Sequence, residues 1–273
     1  MAPAALGLAL AAAVLHASGN VLIGRSRDTE ATMGVIVAVS VVAFAPLAAL
    51  TWRVDADAWP WIAASAALEL GYFALLTLAY RDSEISLVYP IARGTAPVLV
   101  LLVGIAIGHG TSTGQVAGVL AVAAGVVLVR GIGGEPDARG VALALATGLF
   151  IAGYTVVDKE GVQHAAALPY LELVLLPSAV VAVPLVLRRR GAAAVRAAVT
   201  AQTVFVSLVL FATYLLILAA LKLAPAASVS AVRETSVVFA AGLAAWLLQE
   251  RVTRWRFAGA ALVASGIALL ALT

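Results

Sequence analysis

No cysteine occurs anywhere in the chain, which excludes disulfides, thiolate chemistry and cysteine metal sites. Histidine is nearly as scarce: His16, His109 and His164 lack any close metal-ligand spacing, so neither a metal nor a cofactor is expected. Charge is the third scarcity. Charged residues make up 11% of the chain against 63% hydrophobic, which leaves too little polar surface to cover a soluble globule. The net charge of +3 is spread over short connections with no basic tract and no aromatic-basic interleaving, so nucleic acid is not an expected partner. The expected surroundings are a lipid bilayer, and the expected location is a cell membrane, bacterial inner or plasma, crossed many times.

What is present is a series of apolar runs, each long enough to cross about 30 Å of hydrocarbon as a helix. Ten are predicted, at 3–23, 31–52, 58–79, 85–107, 114–130, 140–157, 168–187, 201–221, 226–248 and 256–272. The first could pass for a signal peptide, but no basic residue precedes its apolar stretch, so it is expected to be retained. Trp52, Trp59, Trp61 and Trp255 sit where interface anchors belong. The spacings Gly104 to Gly108 and Gly114 to Gly118 are of the small-xxx-small kind that brings helices close.

The chain is also written twice. Leu68, Leu70, Leu75, Leu76, Leu78, Ala79, Arg93, Thr95 and Val98 recur at a constant offset as Leu208, Leu210, Leu215, Leu216, Leu218, Ala219, Arg233, Thr235 and Val238. Gly118, Val122, Ala123, Gly125 and Leu128 recur as Gly259, Val263, Ala264, Gly266 and Leu269. Matched Leu and Ala are cheap in so apolar a chain, but a matched Arg is not, because Arg at bilayer depth costs roughly 2.5 to 3.5 kcal/mol on insertion scales. The break lies in a Gly-, Pro- and charge-containing linker at 131–138, giving a first five-helix repeat at 1–130 and a second at 139–273. An odd number of spans per half reverses the second copy. The predicted fold class is therefore all-α integral membrane: ten transmembrane helices as two inverted five-helix repeats around a central cavity, an architecture typical of secondary transporters.

The second half resembles the EamA-type members of the drug/metabolite transporter superfamily. The resemblance rests on Pro225 before the ninth predicted helix, on LLQER at 247–251 where many members carry a Gly-Glu-Arg turn, and on Gly259 and Ala260 opening the last helix. The first half matches more loosely, with GHGTSTG at 108–114 in place of the Glu-Arg turn. What the resemblance implies is ten helices, a cavity lined by the first four helices of each half, peripheral fifth and tenth helices, and export of amino acids, drugs or other metabolites by alternating access.

Candidate site residues follow from polar groups at depth. Arg93 and Arg233 each lie about 12 Å from the surface where their helix begins, at 1.5 Å per residue, and are expected to contact a substrate carboxylate, one toward each mouth. A structural Arg tied to carbonyls or a Glu is the competing reading. Tyr89 shares a face with Arg93, and Ser230 with Arg233. Asn20, Tyr154, Tyr72 and Tyr214 complete the expected substrate wall. Burial favours the neutral form of a carboxyl and a nearby Arg favours the charged form, so Glu69 and Glu234 are either titrating coupling groups or fixed counter-ions. Glu69 has no charged equivalent in the second half, where Val209 stands. His16 is a further coupling candidate, with hydrogen-bonded packing as its plainer role. Pro90 and Pro97 each free a carbonyl one turn earlier and are expected to bend the fourth helix as a hinge.

Orientation is contradictory. Connections after odd-numbered helices hold twelve Lys and Arg and those after even-numbered helices three, which puts both termini outside by the positive-inside rule, whereas the resemblance implies both inside. The function expected is a secondary carrier of small metabolites, such as amino acids or amphiphilic compounds, with protons as coupling ion. It is not expected to be an enzyme; the alternative, an intramembrane enzyme acting on lipid or peptide, lacks H-E-x-x-H, G-x-S-x-G and paired intramembrane Asp. Monomer and homodimer are both open.

Overall fold

The computed structural model describes residues 1–23, 26–82, 85–108, 110–130, 138–248 and 253–273. Among these residues the fold is all helical: α1 Pro3–Ile23, α2 Thr29–Leu50, a 3-10 turn Ala56–Ala58, α3 Trp59–Asp82, α4 Ile85–Ala106, α5 Thr113–Arg130, α6 Ala138–Gly161, α7 Ala167–Ala198, α8 Ala201–Leu223, α9 Ala226–Glu234, α10 Ser236–Leu248 and α11 Arg254–Leu272. Among the described residues six segments, in α1, α2, α3 with the turn before it, α6, α7 and α8, are long and apolar enough to cross a membrane. Short polar connections separate the helices, and side chains cap several of their starts: Asp28 accepts from the Ala31 N–H at α2, Ser112 from the Gln115 N–H at α5, and Thr200 from the Thr203 N–H at α8.

Three departures from the expected helices matter. The ninth predicted helix tightens at Thr235, whose N–H and hydroxyl both turn back onto the Val232 carbonyl while its backbone stays right-handed helical at φ −61° and ψ −16°, so α10 follows α9 directly across a single tight turn. The seventh runs past its predicted end. At Gly191 the backbone adopts φ 82° and ψ 160°, a conformation open essentially to glycine alone, and residues 192–198 form a short helical stretch beyond that kink. The sixth ends at Gly161 rather than 157, which brings Asp158 inside it.

The helices pair across the two halves. α3 lies on α6 as α1 lies on α8; α4 lies on α6 as α1 lies on α9 and α10; α2 meets α7, and α5 meets α11. Glycines set the closest of these approaches. A Cβ on Gly125 would stand 2.7 Å from the Gly259 carbonyl oxygen, and one on Gly266 would stand 2.7 Å from that of Gly118, so α5 and α11 touch backbone to backbone. Gly118 thus packs as its spacing suggests, whereas Gly104 and Gly108 face open space.

Both termini lie at one end of the bundle, where the Met1 ammonium donates to the Leu270 carbonyl. That end is tied shut by backbone bonds between the 51–58 and 162–166 connections, Ala166 N to Arg53 O and Asp55 N to His164 O. Lys159 donates there to the Leu221 carbonyl at 2.6 Å and Lys222 to that of Ala165 at 2.8 Å. The opposite end carries the Arg188–Arg190 run, where Arg190 meets Asp28 at 2.7 Å and Arg189 meets Glu30 at 3.7 Å. A cavity of about 400 Å³ opens at that arginine end, lined among others by Leu22, Asp28, Thr32, Ala194, Gln202 and Val206.

Candidate functional site: a charged centre at the end of α9

Arg233 and Glu234 are the last two residues of α9, just before the tight turn at Thr235, and both are buried, Glu234 with no exposed surface at all. Small residues bring the partners in. Gly148 lets α6 press on α4, since a Cβ there would meet the Ala92 carbonyl at 3.1 Å, and Gly153 receives the Leu68 side chain of α3. Arg93 of α4 thereby reaches Glu234 with Nη1 at 3.1 and 3.2 Å from its two carboxylate oxygens. Its Nη2 stands 2.8 Å from Nε2 of His16 on α1. A guanidinium has no acceptor, so His16 must accept through Nε2 and is held as the neutral ring with its proton on Nδ1.

Arg233 completes the cluster from the other side. Its Nε lies 3.5 Å from Glu234 Oε1 without a hydrogen-bond partner, while Nη2 donates to the Tyr154 hydroxyl at 3.0 Å. The two matched arginines therefore do not serve separate mouths: the structure brings both to one carboxylate. Adjacent helical positions point about 100° apart, so Arg233 and Glu234 need not pair; they meet here because the side chains are long and Glu234 is shared.

From Tyr154 an aromatic wall runs outward, with Tyr72 at 6.0 Å and Tyr214 at 6.2 Å between ring centroids, both edge-on. Tyr214 donates to Asp158 Oδ2 at 2.6 Å, and Asp158 Oδ1 accepts from Ser65 at 2.5 Å and from Tyr170 at 2.9 Å. Tyr170 is held in place by seating its ring on Gly161, where an added Cβ would stand 2.5 Å from the ring. Glu69, one turn beyond Ser65 on α3, is buried, and its Oε2 has no hydrogen-bond partner.

Of the expected site residues, the structure gathers Arg93, Arg233, Glu234, His16, Tyr154, Tyr72 and Tyr214, with Glu69 beside Asp158 and Arg233 as the charges acting on it most strongly. Ser230 is buried on α9 with its hydroxyl unpartnered. Asn20 is half buried on α1, one turn from His16. Tyr89, Pro90 and Pro97 all lie on α4, which runs unbroken from Ile85 to Ala106; the side chains of Tyr89 and Pro90 lie outside the described residues. Asp158, Ser65 and Tyr170 were not expected. A helix predicted to stop at 157 leaves Asp158 among the polar residues of a connection, and only its burial in α6 marks it out. Among the described residues no three of His, Asp and Glu gather as a metal site.

A multi-pass helical membrane protein with paired arginines on a shared buried acid is the class that this fold and centre define. Residues 138–272 match the EamA-like transporter family, and through that half the chain belongs to this family of membrane transporters. No curated protein matches the chain. Among solved structures it is similar over its whole length to one described only as a protein crystal structure, with a TM-score of 0.78, 15% identity, and coverage of 100% of this chain and 98% of the other. That likeness concerns the fold.

Proposed function

We propose that the protein is a secondary transporter of a cell membrane that moves a small metabolite by alternating access between two inverted five-helix repeats. The observation that carries the reading is the meeting of Arg93 and Arg233, matched residues of the two halves, on Glu234 at the end of α9. Secondary transporters hold their substrates near the midplane where the repeats meet. The exchange of packing partners between halves, α3 with α6 against α1 with α8, supports two copies related by a twofold axis. The open cavity at the arginine end and the tied connections at the termini end support a state facing one side only.

Substrate class follows from what is unsatisfied. Arg233 Nε and the Ser230 hydroxyl are buried donors without partners on the same helix, suited to a carboxylate, while Tyr72, Tyr154 and Tyr214 supply an apolar wall. The substrate is then an amphiphilic metabolite with a carboxylate, an amino acid among them, and the bilayer midplane is where it is held. Protons are the coupling ion, carried by Glu69. The test is flux in proteoliposomes with a panel of amino acids and organic cations under several imposed pH gradients. Saturable flux of a carboxylate-bearing compound, abolished by Arg233→Met in protein that still purifies as a folded species, is expected. Flux unaltered in that variant overturns the assignment of Arg233, and absence of flux for the whole panel at every gradient overturns the substrate class.

A further inference from the structure

Asp158 is a buried acid that makes no bond to the Arg93–Glu234–Arg233 cluster among the described residues, and its surroundings are those of a fastening. Its three hydrogen-bond donors come from three different helices: Ser65 from α3, Tyr170 from α7 and Tyr214 from α8, while Asp158 itself belongs to α6. Four helices are thus joined through a single carboxylate. The next residue, Lys159, donates to the Leu221 carbonyl at the end of α8, so the fastening lies directly beneath the ties that shut the termini end. Small polar or apolar residues would pack four helices without any acid, and a charge that exists only to be buried is costly.

We propose that Asp158 is a proton-binding site that controls closure of the termini end. As a carboxylate it accepts all three hydroxyl protons, and charge-assisted bonds of this kind are about twice as strong as neutral ones. A proton arriving on Oδ2 converts that oxygen into an O–H donor. The Tyr214 hydroxyl must then turn its proton elsewhere, and the Ser65 and Tyr170 bonds to Oδ1 lose their charge assistance. The four helices are released from one another there. Among the described residues, the charged and titratable groups acting on Asp158 are Tyr170 from α7, Tyr214 from α8 and Arg233 from α9, with Glu69 from α3; Tyr154 and Lys159 lie on α6 itself, and α4, which also packs on α6, carries Arg93. Glu69, one turn from Ser65 on α3, is the coupling group of the transporter reading, on which the proposal rests.

Absence of cysteine makes the test clean, because a single introduced thiol has no background. Ala227, buried at the start of α9, lines a small cavity with Lys159, Val156 and Pro225 at the termini end, and Thr51 is exposed at the same end outside that cavity. The rate of maleimide labelling of Ala227→Cys, divided by that of Thr51→Cys at the same pH, reports opening with the thiol's own titration cancelled. No substrate is present in the measurement. The ratio is expected to rise about tenfold from pH 8 to pH 5, a factor equivalent to the loss of charge assistance in one hydrogen bond. Adding Asp158→Asn should fix the ratio high at every pH. Tyr214→Phe removes one donor while leaving the acid, so it should raise the ratio and move the midpoint of the pH curve upward, because loss of a donor to the carboxylate favours the protonated form. A ratio flat in pH overturns the proposal, as does Tyr214→Phe with the unaltered curve; both readings survive any folding failure of Asp158→Asn. Failure of the transporter reading shows separately, as absence of flux in protein whose labelling still responds to pH.

Discussion

Replacing Glu234 with Gln is the perturbation that the geometry of the charged centre ranks as most severe. The triad of Arg93, Glu234 and Arg233 carries one net positive charge as it stands, and its acid has no exposed surface. Glu234→Gln keeps size and an acceptor oxygen for Arg93 but leaves two buried guanidinium groups facing each other with no counter-charge. Removing one partner of a buried pair costs about 3–5 kcal/mol, and with two cations stranded the upper end applies, about 5 kcal/mol. Arg93→Met strands Glu234 only in part, because Arg233 Nε remains 3.5 Å away, so about 3 kcal/mol is expected. Arg233→Met gives up the bond to Tyr154 yet leaves the better-formed Arg93–Glu234 pair intact and removes a like charge beside it, so only about 1–2 kcal/mol is lost. At about 2–4 °C per kcal/mol for chains of this size, the three melting temperatures should fall in that order, by about 10–20, 6–12 and 2–8 °C. The assay is thermal unfolding in detergent followed by tryptophan fluorescence, with the Arg93→Met/Glu234→Gln double variant closing a cycle whose coupling should be about 2–3 kcal/mol. Arg233→Met destabilising as much as Glu234→Gln would refute the shared-acid account, as would a coupling indistinguishable from zero.

Glu69→Gln should lose gradient-driven accumulation in proteoliposomes while retaining equilibrium exchange, since the amide mimics the protonated side chain but has no proton to release; accumulation at the wild-type level would remove Glu69 from coupling. Asp28 lies outside the spanning segments, and its carboxyl is held below the usual carboxylate range first by the Ala31 N–H and then by Arg190. Being lowered in the folded state, it contributes stability that is complete above the ordinary value of 3.8 and is lost as pH falls through its folded value. Asp28→Ala should therefore cost about 1 kcal/mol at neutral pH and nothing further at the acid end of a melting series; a cost that does not fade on acidification would contradict this cap. Gly125→Ala should lower the melting temperature through a loss of about 1–3 kcal/mol, because its Cβ would meet the Gly259 carbonyl at 2.7 Å, whereas Gly104→Ala, facing open space, should be close to neutral in the same measurement.

Much of the centre was legible without coordinates because of what a bilayer forbids. Arg93, Arg233, Glu69, Glu234 and His16 were visible as polar groups in runs otherwise apolar, and hydrocarbon tolerates such groups only where partners or function hold them. Their pairing was not visible. The offset between Arg93 and Arg233 suggested two separated cations, and only the packing of α4 against α6 over Gly148 and against α9 brings both onto Glu234. Asp158 escaped notice for a different reason. Hydropathy ends a helix where charged residues begin, so the run Asp158 to Glu160 looked like a connection, whereas α6 continues to Gly161 with Asp158 facing three hydroxyls.

By itself the sequence determined the solvent, the helical class, the doubling of the chain and the kinds of groups at its centre, since composition, run length and residue matches are properties of the chain in one dimension. The partners of those groups were decided by tertiary structure alone. A carboxylate acquires its role from whichever donors the folded helices carry to within about 3 Å. In this chain those donors come from helices far apart in sequence: Arg93 for Glu234, and Ser65, Tyr170 and Tyr214 for Asp158.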